Sequence, residues 1–279
     1  MSAQTEIKIY YTASFNGNLD GCLCAAVPRS GLVTSAVLLR QRDRDSSLLL
    51  DLGDFMDPFP DDLLYGYFLE SFRDLQYDLL VPGEQEFAEG PDFLAAAAAD
   101  YPVVSGNLWI NGKSAGSSDH SLFLRRGIKI GVASLTGKEA FIDRWEGIPA
   151  NVEIQDPFTA AHRLFAGLTD ARAAVRILLY HGGRGEALDL LAQDPWDIVL
   201  YAHEGELEFL RTPSGQIAAS PGENGNRAGI LVLRFLDGKL VSLENSFQLF
   251  HYRDDPMDEE IFRRISLYKK EMRSRLLNE

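Results

Sequence analysis

Two periodicities take turns along this chain: short apolar runs rich in β-branched and aromatic residues, and longer stretches whose apolar positions recur at helical spacing. Glu6 to Tyr11 is the first run and predicts a strand that ends at Thr12-Ala13-Ser14-Phe15-Asn16-Gly17. Ser30 to Arg42 carries Leu32, Val33, Ala36, Val37 and Leu39 at helical spacing, with Arg40, Arg42 and Arg44 where a helix dipole favours positive charge. Leu48, Leu49, Leu50 and Leu52, within Ser47 to Pro58, predict a buried strand running into a turn at Asp51, Gly53 and Asp54. A helix over Asp61 to Gln76 follows, with Asp61 and Asp62 where an N-cap is wanted, and then a strand over Tyr77 to Val81.

The alternation goes on to predict helices over Pro91 to Ala99, Pro157 to Leu168 and Gly185 to Ala192. Strands are predicted over Tyr101 to Ser105, Ile128 to Leu135, Val175 to Tyr180 and Asp197 to Tyr201. Asn111 to Asp119, rich in Gly, Ser and Asn, reads as a surface loop. Past Gly205 the pattern changes to short strands at Gln216 to Ala219, Gly229 to Phe235 and Leu240 to Gln248, with a hairpin signal at Asp237-Gly238. A last amphipathic helix starts at Asp255-Pro256 and puts Ile261, Ile265, Tyr268, Met272 and Leu276 on one side. No repeat and no charge-depleted linker divides the chain, so one domain over residues 1–279 is expected, closed by the helix over 255–279. Such an order predicts a layered α/β sandwich, with a parallel sheet continued or faced by an antiparallel one.

Composition narrows the partners. A formal charge of −14, from 41 acidic and 27 basic residues, argues against non-specific nucleic-acid or anionic-membrane binding, because both rely on Lys and Arg to neutralise phosphates. A small ligand or another protein is the expected partner. No apolar run approaches the roughly 20 residues of a spanning helix, so membrane insertion is not expected. The start, MSAQTEIKIYY, has no basic flank leading into an apolar stretch. The chain as given therefore reads as cytoplasmic, though one trimmed of a signal peptide would read the same. Cys22 and Cys24 make no disulfide framework; their spacing suits thiolate ligation but lacks a second pair, and free thiols are the favoured reading.

Candidate chemistry collects at strand ends. Loops at the carboxyl ends of parallel strands open on one side of their sheet, so Asp54, Glu84, His181 and His203 are expected to converge. Two carboxylates and two imidazoles suit one divalent ion such as zinc, manganese or iron. Each residue also has a plainer role: Asp beside Gly caps turns, and a histidine at a strand end can be satisfied by carbonyls. His120, His162 and His251 lack a comparable setting and read as solvated or structural.

The order and spacing of these pieces resemble the calcineurin-like metallophosphoesterases, specifically the catalytic domain of the bacterial 5′-nucleotidase type. The family reads Asp-x-His-Gly, Gly-Asp, Gly-Asn-His-Glu, a lone His and Gly-His-x-His after successive strands. Here those places hold Ser14-Phe15-Asn16-Gly17, Gly53-Asp54, Gly83-Glu84-Gln85-Glu86, His181, and Ala202-His203-Glu204-Gly205. Ser105-Gly106-Asn107-Leu108 resembles a structural signature of the family, and Cys22-Leu23-Cys24 resembles a diverged Cys-x-Cys branch. The resemblance covers nearly the whole chain and implies a layered α/β/β/α sandwich with mixed sheets. It also implies that Ser14, Asn16 and Gly205 replace three ligands of the first metal, while Asp54, Glu84, His181 and His203 stand at the ligand positions of the second.

Gln85 occupies the family's catalytic histidine position, and an amide cannot transfer a proton near neutral pH. The leading expectation is thus a pseudoenzyme or ligand-binding domain with a degenerate dinuclear site, holding one divalent metal or none. A weak single-metal phosphoester hydrolase using Asp54, Glu84, His181 and His203 is the alternative. An interaction module built on the last helix, where Arg263, Arg264, Lys269, Lys270, Arg273 and Arg275 cluster, is the second alternative. The family's separate C-terminal nucleotide-recognition domain has no counterpart in this sequence, so a small phosphorylated ligand is expected without nucleotide specificity.

Overall fold

In the first strand, β1 (Gln4–Thr12), side chains part to two faces: Ile7, Ile9 and Tyr11 join one buried cluster and Tyr10 another. The computed structural model describes residues 4–22, 29–144, 147–203, 206–222, 225–252 and 254–278. After β1 come α1 (Gly31–Arg40), β2 (Ser47–Asp51), α2 (Asp62–Leu75), β3 (Leu79–Leu80), α3 (Pro91–Asp100), β4 (Leu108–Ile110), β5 (Lys113–Ser114), β6 (His120–Arg125) and β7 (Ile128–Thr136). The second half runs α4 (Lys138–Arg144), β8 (Val152–Ile154), α5 (Pro157–Asp170), β9 (Val175–Gly182), α6 (Arg184–Gln193) and β10 (Ile198–His203). It closes with β11 (Leu207–Arg211), β12 (Ile217–Pro221), β13 (Arg227–Leu236), β14 (Lys239–Leu249) and α7 (Glu259–Asn278).

Two mixed sheets result. The first has the order β14-β13-β1-β2-β3, parallel from β1 to β3 and antiparallel across β13. The second has the order β11-β12-β10-β9-β7-β6, parallel in its middle and antiparallel at both edges. Ile9, Leu48 and Leu50 of the first meet Ile130, Leu179 and Leu200 of the second in one buried cluster. On the outer faces Leu49 packs with Phe68, Phe72 and Ile261, and Val199 with Leu164 and Leu190. Each such burial contributes about 1.5–3 kcal/mol. The layers are therefore helix, sheet, sheet, helix, as the resemblance implies.

Local chemistry accounts for the boundaries. Asp61 accepts the Leu64 N–H at 2.9 Å and caps α2. Asp237 and Gly238 both take positive φ between β13 and β14, as a tight hairpin requires. The structure corrects three sequence expectations. Tyr101 to Ser105 is not a strand: Val103 and Val104 make isolated bridges to Leu80 and Ser118, and Pro102 has no N–H to give. Asn111 to Asp119 contains β5, part of a three-stranded sheet β5-β4-β8 too short to show a period. The last helix begins at Glu259 rather than beside Pro256, with Asp258 accepting the Ile261 N–H at 3.1 Å. Its apolar stripe is buried only at the start: Ile261 and Ile265 pack inward, while Met272 and Leu276 are exposed. Arg264, Lys269 and Arg275 of that helix pair with Asp74, Asp20 and Asp62 of the same chain. No helix among the described residues is long and apolar enough to cross a membrane.

Candidate metal centre

Four parallel strands deliver the four side chains. Asp54 follows β2, Glu84 follows β3, and His181 and His203 close β9 and β10. Close approach of these loops excludes side chains at two positions. A Cβ on Gly53 would lie 2.5 Å from His181 Nδ1, and one on Gly83 would strike Asp54 and His181. Thr136, at the end of β7, donates to the Pro82 carbonyl at 2.9 Å and ties that loop down. Asn107 in turn clamps Thr136 through both of its backbone groups, at 2.8 and 2.9 Å, which gives the Ser105-Gly106-Asn107-Leu108 stretch a structural task.

Asp54, Glu84, His181 and His203 converge as the strand ends predict: one ligand atom from each lies within 4.8 Å of all the others. His181 Nε2 is 2.9 Å from Glu84 Oε2 and 3.4 Å from Asp54 Oδ1. Its Nδ1 lies 2.7 Å from the Leu52 carbonyl, and a proton donated there leaves Nε2 facing the cluster. His203 Nδ1 stands 3.3 Å from Glu84 and 3.9 Å from Asp54. Neither distance comes with hydrogen-bond alignment, and both His203 Nδ1 and Glu84 Oε1 are buried without a partner. Buried polar atoms without partners are costly, and a set of two carboxylates and two imidazoles fits a divalent ion.

The charges show the same tension. Burial disfavours protonated imidazole, yet the Asp54 and Glu84 carboxylates outweigh it and raise His181 to about 9 and His203 to about 10. Burial also opposes ionisation of Glu84, but the two imidazoles hold it well below the usual carboxylate range. Asp51 accepts from Thr12 Oγ1 at 2.7 Å and from the Gly53 N–H at 2.9 Å, so it supports the turn.

Ser14 and Asn16 line the cavity beside these four residues, and Gln85 Nε2 donates to Asn16 Oδ1 at 2.8 Å. Gly205 and Cys24 lie outside the described residues. Cys22 is disulfide-bonded, which corrects its reading as a free thiol. His120 and His162 pair with Asp119 and Asp194. Three contributors escaped sequence reasoning. Glu86 accepts the backbone N–H groups of Asp54, Met56 and Gly83, and Arg29 and Phe59 line the cavity. Only for Glu86 was there a sequence signal, its place in the Gly-Asn-His-Glu-like segment.

The fold is that of calcineurin-like phosphoesterases of the 5′-nucleotidase type. A 5′-nucleotidase precursor from Thermus thermophilus matches with a TM-score of 0.79 at 20% identity, over 96% of this chain and 59% of that one. The calcineurin-like phosphoesterase YfkN from Bacillus subtilis matches at 0.77 and 17% identity, over 96% and 98%. The sulfate thiohydrolase SoxB from Thermus thermophilus matches at 0.80 and 12% identity, over 97% and 61%. This chain thus spans 59% of the nucleotidase and 61% of the thiohydrolase. No family model matches the sequence, and no curated protein does.

Proposed function

We propose that this protein is a ligand-binding domain on the metallophosphoesterase fold that holds one divalent ion through Asp54, Glu84, His181 and His203. The observation that carries the reading is the convergence of those four side chains, with Glu84 Oε1 and His203 Nδ1 buried and without hydrogen-bond partners. Efficient two-metal chemistry relies on paired ions about 3.5–4 Å apart. Ser14 and Asn16 offer no carboxylate or imidazole for a second ion, and Gln85 offers no acid–base group. A divalent ion held by Asp54, Glu84, His181 and His203 would supply Lewis acidity. Four protein ligands complete a tetrahedral zinc site, whereas manganese takes further oxygen ligands.

A second reading, slow hydrolysis of an activated phosphoester, is favoured by the open side of the cluster: Asp54, Glu84 and His203 line a cavity of about 380 Å³. Metal analysis and a p-nitrophenyl phosphate assay with zinc and with manganese separate the readings. One ion per chain, lost in His203→Ala, with zinc protein inert and manganese protein at most slow, is the expected result. Two ions per chain, or robust turnover, would overturn the proposal.

A further inference from the structure

The wall of the cavity beside the candidate metal centre carries three carboxylates, Asp54, Glu84 and Asp57, against one guanidinium, Arg29. A divalent ion held by the first two brings that wall to electrical balance, so the site has no net charge with which to draw an anion. The ion leaves Asp57 uncommitted. Its Oδ1 accepts the Phe59 N–H at 2.9 Å, and it makes no ion pair among the described residues.

Gln85 adds an independent observation. Its side chain is 3% exposed, its Nε2 donates to Asn16 Oδ1 at 2.8 Å, and its backbone N–H reaches Asp54 Oδ1 at 3.3 Å. Those bonds fix the amide and leave Oε1 as a buried acceptor without a partner, in a residue that lines the same cavity. A buried carbonyl oxygen without a donor costs about 1–3 kcal/mol, and an anion, which brings only acceptors, leaves that cost in place. A hydroxyl removes it. Asn16, whose Oδ1 is taken by Gln85, has its amide N–H groups left to give. Acceptors and donors thus stand together on one wall, which suits a group that does both, as a hydroxyl does.

Phe59 is 76% exposed on the same wall, held between Pro58 and Pro60 and by its own N–H on Asp57. An exposed ring beside a carboxylate and two amides offers an apolar face to the C–H face of a pyranose and polar groups to its hydroxyl rim. The cavity, of about 380 Å³, has room for one sugar ring.

We propose that this cavity takes a neutral sugar, with Gln85 Oε1 and Asp57 accepting from its hydroxyls, Asn16 donating to them and Phe59 covering its apolar face. The inference rests on the reading of the cluster as a one-ion ligand site and names the ligand class: a neutral pyranoside in preference to its phosphate ester. Methyl glucoside, methyl galactoside and methyl mannoside, each beside the phosphate ester of the same sugar, test it. They are titrated into the full chain in EDTA and again with manganese, and binding is read by calorimetry and by saturation transfer to the sugar protons.

At least one methyl glycoside is expected to bind at millimolar concentration. Its phosphate ester is expected to bind about tenfold more weakly, the order for bringing like charge to Asp57. Phe59→Ala is expected to weaken the glycoside about 2–10-fold, the range for an aromatic contact, and Gln85→Leu by a similar factor for one neutral hydrogen bond. Asp57→Asn, which keeps an acceptor for the Phe59 N–H, is expected to close the gap between glycoside and phosphate ester. A phosphate ester that binds at least as tightly as the glycoside, no binding of any glycoside, or indifference of the glycoside to both Phe59→Ala and Gln85→Leu would each overturn the inference. Metal analysis keeps the two readings apart. Glycoside binding that Phe59→Ala and Gln85→Leu weaken, in a chain that holds no ion, overturns the one-ion reading alone. A chain with one ion that prefers the phosphate ester overturns this inference alone.

Discussion

The two halves of the cavity both hold non-glycine residues at positive φ and differ in their side chains. Asp54 and His203, on the ligand-bearing half, take φ of 57° and 106°. Ser14 and Asn16, on the other half, take 51° and 49°. Such conformations are uncommon outside glycine and cost of order 1–3 kcal/mol each unless the surroundings hold them. The surroundings do: Ser14 donates to the Gly53 carbonyl at 2.9 Å, Asn16 to that of Asp54 at 2.9 Å and Gly17 to that of Phe55 at 3.1 Å. The two loops thus run as a short ladder that fixes Ser14 and Asn16 as firmly as Asp54. Loop geometry and ligand chemistry are separable, and the first persists here where the second differs.

If only side chains distinguish the halves, placing ligands on the second half should give it the chemistry of a second ion. The triple substitution Ser14→Asp, Asn16→His and Gln85→His is expected to raise metal stoichiometry from one to two. It is also expected to raise p-nitrophenyl phosphate turnover by about 10²–10⁴-fold, the usual worth of a positioned acid–base group. Unchanged stoichiometry would show that the loop geometry is not competent after all. On the opposite half, His203→Ala is expected to lower metal affinity by at least about a hundredfold, since removing a ligand exceeds the 10–100-fold typical of an outer-shell partner. Competition with a chelating dye reads that loss.

Acid sharpens the contrast further. His181, raised to about 9, and His203, raised to about 10, are both protonated at neutral pH without metal. An entering ion displaces both protons, so apparent affinity is expected to rise with pH by up to about a hundredfold per unit below 9. The same shifts bear on stability. A histidine near 6.5 when unfolded and higher when folded stabilises fully below 6.5, and that contribution is lost as pH rises through the folded value. The melting temperature of EDTA-treated protein is therefore expected to fall between pH 7 and 10, and that of metal-loaded protein to hold. A flat curve for the metal-free chain would break the account.

The ligand-bearing half was legible because each of its residues directly follows a strand-forming apolar run, and parallel strands open their ends together. Leu48 to Leu52 announces Asp54, and Val175 to Tyr180 announces His181, by local pattern alone. Arg29 sits in no such run, and nothing in its neighbourhood says which cavity its backbone bridge to Cys22 will face. The period of the last helix was legible too, but a period does not say where the surface under it ends. Ile265 therefore lies buried while Leu276 stands in water. Val103 and Val104 look like a strand because propensity is local, whereas the ladder they fail to extend is set by Pro102 and by distant partners.

Glu86 gives the finest test of how the loop geometry is held. Fully buried, it accepts the Asp54 N–H at 3.0 Å and the Gly83 N–H at 2.7 Å on one oxygen, and the Met56 N–H at 3.0 Å on the other. Two ligand-bearing loops are thereby pinned to one carboxylate. Glu86→Gln keeps the shape but turns one acceptor into a donor that faces a backbone donor, at a cost of about 1–3 kcal/mol in urea unfolding. Metal affinity is expected to fall about 10–100-fold as Asp54 loosens. Burial, with Asp54 adding repulsion, raises Glu86 to about 8 against the pull of the Met56 and Gly83 N–H groups. The stability loss is therefore expected to be smaller below pH 8, where the carboxyl is neutral, than above it. Equal losses on both sides of that pH, or none, would assign the hold on Asp54 to the backbone ladder from Ser14 to Gly17 instead.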